Sequence, residues 1–96
     1  MATYLIVDLD VHDAATYEEY RRLVPALIAR HGGEYLARGG ASDALEGDWT
    51  PHRMVLVVFP DHASMRAFVD DPDYVPVRAI RHASATSRVI ALDGID

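Results

Sequence analysis

Four stretches of the chain show the hydrophobic patterns of β-strands. In the first, apolar residues such as Leu5 and Leu9 alternate with more polar positions, which is typical of a strand with one buried face. The run RMVLVVF is apolar on both faces and is the strongest strand pattern in the chain. The predicted strands are residues 3–11, 34–38, 53–59 and 86–92.

A glycine-rich and polar segment separates the second and third predicted strands. Gly39-Gly40 indicates a bulge or kink, after which we expect the second strand to resume near residues 44–46. The following residues, GDWTPH at 47–52, have the composition of a turn.

The first helix is predicted between the first two strands. Thr16 and Glu19 have the spacing of a capping box, and Gly32-Gly33 marks the end of the helix. Pro25 lies within it, and a bend is expected there because proline lacks the N–H of a helical hydrogen bond. Its apolar stripe consists of Tyr17, Tyr20, Leu23, Val24, Leu27 and Ile28.

Two further helices are predicted between the third and fourth strands. Asp61 is placed to cap a helix over residues 62–70, and Pro72 ends that segment. Asp73 is then placed to cap a third, short helix that runs to about residue 83. The order of elements is therefore β-α-β-β-α-β with one extra helix before the last strand.

This order predicts an α+β domain over residues 1–96 with the ferredoxin-like βαββαβ fold. The fold has a four-stranded antiparallel sheet with helices on one face, and its first and third strands are central. The third strand carries Met54, Leu56 and Val58 on one side and Val55, Val57 and Phe59 on the other. Leaving three such side chains in water costs several kcal/mol at about 25 cal/mol per Å². Because no part of the chain remains to cover them, we expect a second copy to do so, forming a homodimer built as a dimeric α/β barrel.

Composition and charge exclude several kinds of function. The chain has no cysteine, lysine, asparagine or glutamine, as coding bias in a GC-rich bacterial genome would produce, so thiolate and lysine Schiff-base chemistry are excluded. The net charge of −6 disfavours nucleic acid as a partner. With no long apolar run, no basic patch and no signal peptide apparent after Met1, we expect a cytoplasmic protein without membrane contact.

Histidines and paired aspartates are the first candidate chemical groups. The five histidines lack the spacing of a metal site, so no metal and no cofactor are predicted. Asp8 and Asp10 share one strand face, where repulsion between two carboxylates would raise one pKa and create a general acid or base. The alternative is an ion pair between Asp8 and Arg53 or Arg88.

A candidate ligand-binding cluster lies at the hairpin between the second and third strands. Trp49, with Arg38 and His52 nearby, has the chemistry to clamp a small anionic or aromatic ligand, and Glu46 and Arg53 belong to the same region. The alternative is that Trp49 caps the barrel or lies at the rim of the dimer interface.

A second candidate group is expected in the gap between the helices and the sheet. Its tyrosines and arginines would orient a carboxylate or phenolate, and a tyrosine hydroxyl would relay a proton. The alternative is that both tyrosines are core residues with satisfied hydroxyls. The group consists of Tyr20, Tyr74, Arg78, Arg81 and Ser87.

Several short motifs together make the chain resemble the family called domain of unknown function 1330, within the dimeric α/β-barrel superfamily. They are YLARGG at 35–40, LEGDW at 45–49, Arg53, Phe59-Pro60, Pro72-Asp73-Tyr74 and Arg81. Glu34 and Asp73 depart from the family pattern, which commonly has a basic residue and glutamate there. The resemblance implies the fold and the homodimer but no activity. The wider superfamily includes cofactor-free monooxygenases, haem-degrading enzymes and muconolactone isomerases.

Three functional hypotheses follow for this chain. The first is a small-molecule-binding subunit, or an oxygenase-like or isomerase-like enzyme that needs no cofactor, with one pocket in each protomer. The second is a structural or interaction dimer without catalytic activity, in which the space between helices and sheet is filled. The third is a dimeric haem or metal site, for which the sequence offers no specific ligand set.

Overall fold

The computed structural model describes residues 1–95 and confirms the ferredoxin-like order of elements. Its four strands form one antiparallel sheet, and one additional helix precedes the last strand. The elements are β1 (Thr3–Val11), α1 (Ala14–Arg30), β2 (Glu34–Arg38), β3 (Arg53–Phe59), α2 (His62–Val69), α3 (Tyr74–Ser84) and β4 (Ala85–Asp93). The order of the strands in the sheet is β2-β3-β1-β4, so the two most apolar strands are central as predicted.

The core lies between the helices and one face of the sheet. Alternate residues of the central strands are buried there, including Leu9 of β1 and Val57 of β3. Phe59 ends β3 fully buried, and its ring stacks on that of Phe68 from α2 at 5.5 Å between centroids. The ring of Phe68 in turn lies 4.4 Å from that of Tyr74, which brings α3 into the same cluster. These contacts place all three helices on one face.

Helix α1 begins three residues earlier than the capping box predicts. Asp13 is its N-cap, and its carboxylate accepts hydrogen bonds from the backbone N–H and the hydroxyl of Thr16. A capping aspartate before Ala14 outcompetes the threonine because a carboxylate is the stronger acceptor for the free N–H groups. These bonds lower the pKa of the Asp13 carboxyl. The helix continues through Pro25 to Arg30.

The other two helices differ in how they begin. Asp61 caps α2 through a 2.7 Å bond from the N–H of Ser64, as predicted. Asp73 precedes α3 but its side chain makes no capping bond, which contradicts its predicted role. Its backbone N–H instead donates to the carboxylate of Asp71, which is the acceptor of this turn.

Asp71 also connects the turn before α3 to the end of α1. Its buried carboxylate pairs with the ring of His31 at 2.8 Å and with the guanidinium of Arg30 at 3.0 Å. The hydrogen bond to His31, then those to the Asp73 N–H and Arg30, lower the pKa of Asp71 to about 2. The carboxylate therefore contributes to stability in its charged form.

The second face of the sheet carries a group of apolar side chains on β3, β1 and β4. Ile6 of β1 is flanked by Leu56 of β3 and Ile90 of β4, and Tyr4 is flanked in the same way by Val58 and Leu92. The two β4 residues are more than half exposed, at 59% for Ile90 and 56% for Leu92. Within residues 1–95, no helix covers this face, and none is long and apolar enough to span a membrane.

Residues 39–52 form an exposed connection without a strand, so the predicted resumption of β2 near residues 44–46 is wrong. The irregularity in pairing lies earlier than expected, at Leu36, between Tyr35 and Ala37. The N–H of Gly39 still donates to the carbonyl of Met54, after which the chain leaves the sheet. A bulge before the end of β2 turns the edge strand away from β3, which leaves residues 44–46 without a pairing partner.

Candidate functional site

A cavity of about 220 Å³ lies between the helices and the sheet. Most of its wall is apolar, and the polar groups come from tyrosines and arginines. All three helices and all four strands contribute to it. Its lining residues are Leu5, Val7, Leu9, Tyr17, Tyr20, Arg21, Val24, Ile28, Tyr35, Arg38, Val55, Val57, Phe68, Val69, Tyr74, Arg78, Arg81 and Val89.

Two buried tyrosine hydroxyls meet in the wall of this cavity. The hydroxyl of Tyr20 on α1 and that of Tyr74 on α3 share a hydrogen bond of 3.0 Å. Burial, followed by the neighbouring Tyr74, raises the pKa of Tyr20 well above its ordinary value. A neutral pair uses one of its two protons in the shared bond, so the other is free to be donated to a ligand oxygen.

Every tyrosine in the cavity wall has an arginine near its ring. The guanidinium carbon lies between 4.6 and 5.8 Å from the ring centroid in each case, a distance at which cation–π attraction acts. The four pairs are Tyr17 with Arg53, Tyr20 with Arg81, Tyr35 with Arg38, and Tyr74 with Arg78. The cavity is therefore surrounded by positive charge in a chain whose net charge is −6.

Arg81 is the most buried of these arginines, at 7% exposure. Its guanidinium lies over the ring of Tyr20, and no carboxylate within residues 1–95 pairs with it. Since a buried cation without a counter-charge is costly, its position favours a negatively charged ligand group in the cavity. Arg78 differs, because it donates a 3.2 Å bond to the carbonyl of Val69 at the end of α2.

Arg38 lies at the outer edge of the cavity, on edge strand β2. Its Nη2 donates a 2.7 Å hydrogen bond to the backbone carbonyl of Arg21 in the middle of α1. Its guanidinium lies 4.6 Å from the centroid of the Tyr35 ring, and partial burial raises the pKa of that tyrosine. Arg38 thus bridges β2 and α1 at the mouth of the cavity.

Ser87 and Arg53 place unsatisfied polar atoms on the same face of the sheet. They are the cross-strand neighbours of Leu9, one on β4 and one on β3. The Oγ of Ser87 and the Nε of Arg53 are buried and find no hydrogen-bond partner among residues 1–95. Neither residue lines the cavity itself, so Ser87 lies beside the predicted group and not within its wall.

Trp49 and His52 lie on the opposite face of the sheet, so the predicted cluster with Arg38 does not form. The indole Nε1 of Trp49 and the backbone N–H of His52 donate to the carboxylate of Asp8 at 3.2 and 2.9 Å. These bonds replace the expected ion pair of Asp8. The tryptophan belongs to an open depression of about 590 Å³ lined by Asp8, Asp10, Asp48, Trp49, Thr50, His52, Thr86 and Arg88.

Strand alternation explains this separation. Arg53 lies on the helix side because it pairs with the buried Leu9, whereas Asp8, one residue earlier on β1, points to the other side. The nearest contact between the ring of His52 and Asp10 is 3.7 Å. Within residues 1–95, no three histidine or acidic side chains come together in a way that would hold a metal ion.

Sequence reasoning did not select Tyr17 and Tyr35, which the structure brings to this region. Arg53, expected beside Trp49 at the hairpin, instead lies on the helix side of the sheet near the ring of Tyr17. Tyr17 was recognisable as part of the apolar stripe of α1, three residues before Tyr20. For Tyr35, the hydrophobic pattern of a five-residue edge strand with a bulge is too short to indicate which side chains face the helices.

Comparison with solved structures shows the same fold in several proteins. The chain superposes on the RPA0582 protein of unknown function from Rhodopseudomonas palustris with a TM-score of 0.82 at 20% identity, covering 99% of this chain and 83% of that one. SnoaB, a cofactor-independent oxygenase from Streptomyces nogalater, gives a TM-score of 0.69 at 18% identity over 99% and 94% of the two chains.

A third similar structure is a dimeric ferredoxin-like protein of unknown function from Jannaschia sp. CCS1. Its TM-score is 0.66 at 14% identity, covering 98% of this chain and 100% of that one. A search of curated protein sequences gives no match. The model of the domain of unknown function DUF1330 matches residues 2–95, so the chain belongs to the DUF1330 family.

Proposed function

We propose that the protein is a homodimer in which each subunit binds a small aromatic ligand with an acidic oxygen in the cavity between helices and sheet. The observation that carries this proposal is the cavity itself, which is apolar in most of its wall and holds a tyrosine pair and the buried Arg81, for which residues 1–95 supply no carboxylate partner. A purely structural dimer would have this space filled, so the cavity counts against that alternative.

The size of the cavity limits the ligand. A dry cavity of about 150 Å³ in a protein core accommodates benzene. At about 220 Å³, the present cavity suits a compound of one or two aromatic rings. Its walls of leucine, valine and phenylalanine would contact the ring faces and exclude water from them.

The polar groups of the cavity indicate which functional group the ligand carries. Arg81 supplies a buried positive charge, and the pair of Tyr20 and Tyr74 supplies a hydroxyl proton. A carboxylate or phenolate oxygen at this position would accept hydrogen bonds from both the guanidinium and the hydroxyl. Hydrogen bonds to a charged group are stronger than those between neutral groups. If the ligand is also converted, the same neutral hydroxyls would exchange a proton with it, as the oxygenase-like or isomerase-like form of this proposal requires.

The uncovered face of the sheet supports the proposed dimer. Ile6, Leu56 and Ile90 form an apolar row across three strands, and the similar Jannaschia protein is described as dimeric. A second copy would cover this row and bring the exposed side chain of Trp49 close to the rim of the interface. Sedimentation at micromolar concentration is expected to give about twice the mass of 10.6 kDa.

Binding of 2-naphthoate, measured by isothermal titration calorimetry and thermal shift, tests the ligand proposal. We expect saturable binding and a raised melting temperature in the wild type. Val89→Phe would place a ring in the cavity and abolish binding, whereas Val75→Phe on the exposed side of α3 would leave it unchanged. Absence of binding to the wild type, or equal binding to Val89→Phe, would refute the proposal.

A further inference from the structure

Pro25 leaves one backbone carbonyl of α1 without its helical partner. In an α-helix, the carbonyl of Arg21 accepts a hydrogen bond from the N–H of residue 25, and proline has no N–H. The half-buried position of Pro25 within the helix makes this loss costly unless another donor takes its place. The Arg21 carbonyl that lacks its helical donor belongs to the part of α1 that lines the cavity.

Arg38, on the edge strand β2, supplies the missing hydrogen-bond donor. Its Nη2 donates to the Arg21 carbonyl at 2.7 Å, while its guanidinium also lies over the ring of Tyr35. Two contacts hold the side chain in one orientation, although it is exposed and has no carboxylate partner within residues 1–95. Because guanidinium carries five N–H donors, four remain for another acceptor.

Two cationic groups consequently lie towards opposite sides of the same cavity. Arg38 is on β2, at one edge of the sheet, and Arg81 is in the last turn of α3, which leads directly into β4 at the other edge. Strands β2 and β4 are three spacings apart, about 14 Å. Both arginines line the cavity, and most of its other lining residues are apolar.

We propose that the cavity takes an aromatic ligand with an acidic group at each end, and that Arg38 binds the outer group because Pro25 frees the carbonyl that positions it. Arg81 and the tyrosine pair bind the inner group. This inference rests on the ligand-binding function proposed above and adds the second charge of the ligand. It makes Pro25 a positioning residue for binding and not only a bend in the helix.

Two probes that differ in one carboxylate test this inference. Naphthalene-2,6-dicarboxylate carries acidic groups at both ends, and 2-naphthoate carries one. We expect the wild type to bind the dicarboxylate about 1.5-fold to fivefold more tightly, the range for an ion pair at a solvent-exposed position. The affinities would be measured by titration calorimetry at constant ionic strength.

Three variants assign the preference to the proposed residues. Arg38→Met is expected to abolish it, so that this variant binds the two probes with similar affinity. Pro25→Ala restores the helical N–H and is expected to reduce the preference, with no loss in melting temperature. Arg22→Met, which removes an exposed arginine paired with Glu19 on the same helix, is expected to retain it.

The possible failures are distinguishable. If 2-naphthoate does not bind the wild type, the proposed ligand-binding function fails. If it binds but the wild type shows no preference, or if the preference persists in Arg38→Met, the second acidic group is refuted. If Arg38→Met loses the preference and Pro25→Ala keeps all of it, the role of Pro25 is refuted.

Discussion

Replacing Ile90 with threonine tests the proposed dimer at the centre of its interface. Ile90 lies on the uncovered face of the sheet beside Ile6, and 59% of it is exposed in the single chain. Threonine keeps the β-branched shape that suits a strand but replaces apolar surface with a hydroxyl. The substitution therefore changes what the second copy would bury and leaves the fold of the subunit intact.

The expected magnitude follows from the exposed fraction. Full burial of an isoleucine side chain is worth about 1.5–3 kcal/mol, so the 59% available in Ile90 is worth about 1–2 kcal/mol per subunit. In a symmetric dimer, Ile90 is buried once in each subunit, so its contribution is doubled. Because threonine retains about half of the apolar contact, the free energy of dimerisation should weaken by about 1–2 kcal/mol per dimer. The dissociation constant of the dimer should rise about fivefold to thirtyfold.

Sedimentation equilibrium over a dilution series measures this constant directly. Val75→Thr is the matched control, because Val75 is similarly exposed, at 51%, but lies on α3 away from the open face of the sheet. The control should dimerise like the wild type. A wild type that remains a folded monomer at every concentration, or an unchanged constant for Ile90→Thr, would refute the reasoning.

Three further predictions concern stability and titration. Gly33→Ala adds a Cβ that would lie 2.6 and 2.7 Å from two core side chains, so the free energy of unfolding should fall by about 1–3 kcal/mol in urea titrations, whereas Gly40→Ala, with open space around it, should change little. The bond to His31 lowers the pKa of Asp71 to about 2 in the folded protein, compared with about 3.9 in an unfolded chain. The stabilisation that this carboxylate provides is therefore complete above about pH 4 and is lost as the pH falls through 2. Unfolding curves of Asp71→Asn should therefore decline less than those of the wild type across that acidic range. Burial raises the pKa of Tyr20, so Tyr20→Phe should leave the tyrosinate absorbance of the folded protein in alkaline titration unchanged.

The fold was predictable because its strongest signals are local. The alternation in β1 and the apolar run of β3 identify the central strands, and a capping aspartate marks the start of α2 correctly. The prediction failed where two local signals compete. At the start of α1, Asp13 and Thr16 are both capping residues, and their spacing does not show which one takes the N-cap position.

The candidate site was predictable only in part. Tyr20, Tyr74 and Arg81 lie together in the structure because helices α1 and α3 pack on the same face of the sheet. Trp49 and His52 were grouped with Arg38 through closeness in sequence, yet they lie on the other face. A connection as long as residues 39–52 can cross the edge of a sheet, so nearness along the chain does not decide the face.

The sequence by itself determined the elements, the order of the central strands and the need to cover a sheet that is apolar on both sides, because these follow from periodicity and from the free energy of exposed apolar surface. Only the tertiary structure decided that the space between helices and sheet stays open and that Arg38 meets the carbonyl freed by Pro25. Such contacts join residues far apart in sequence through packing and register, which hydrophobic patterning leaves unspecified.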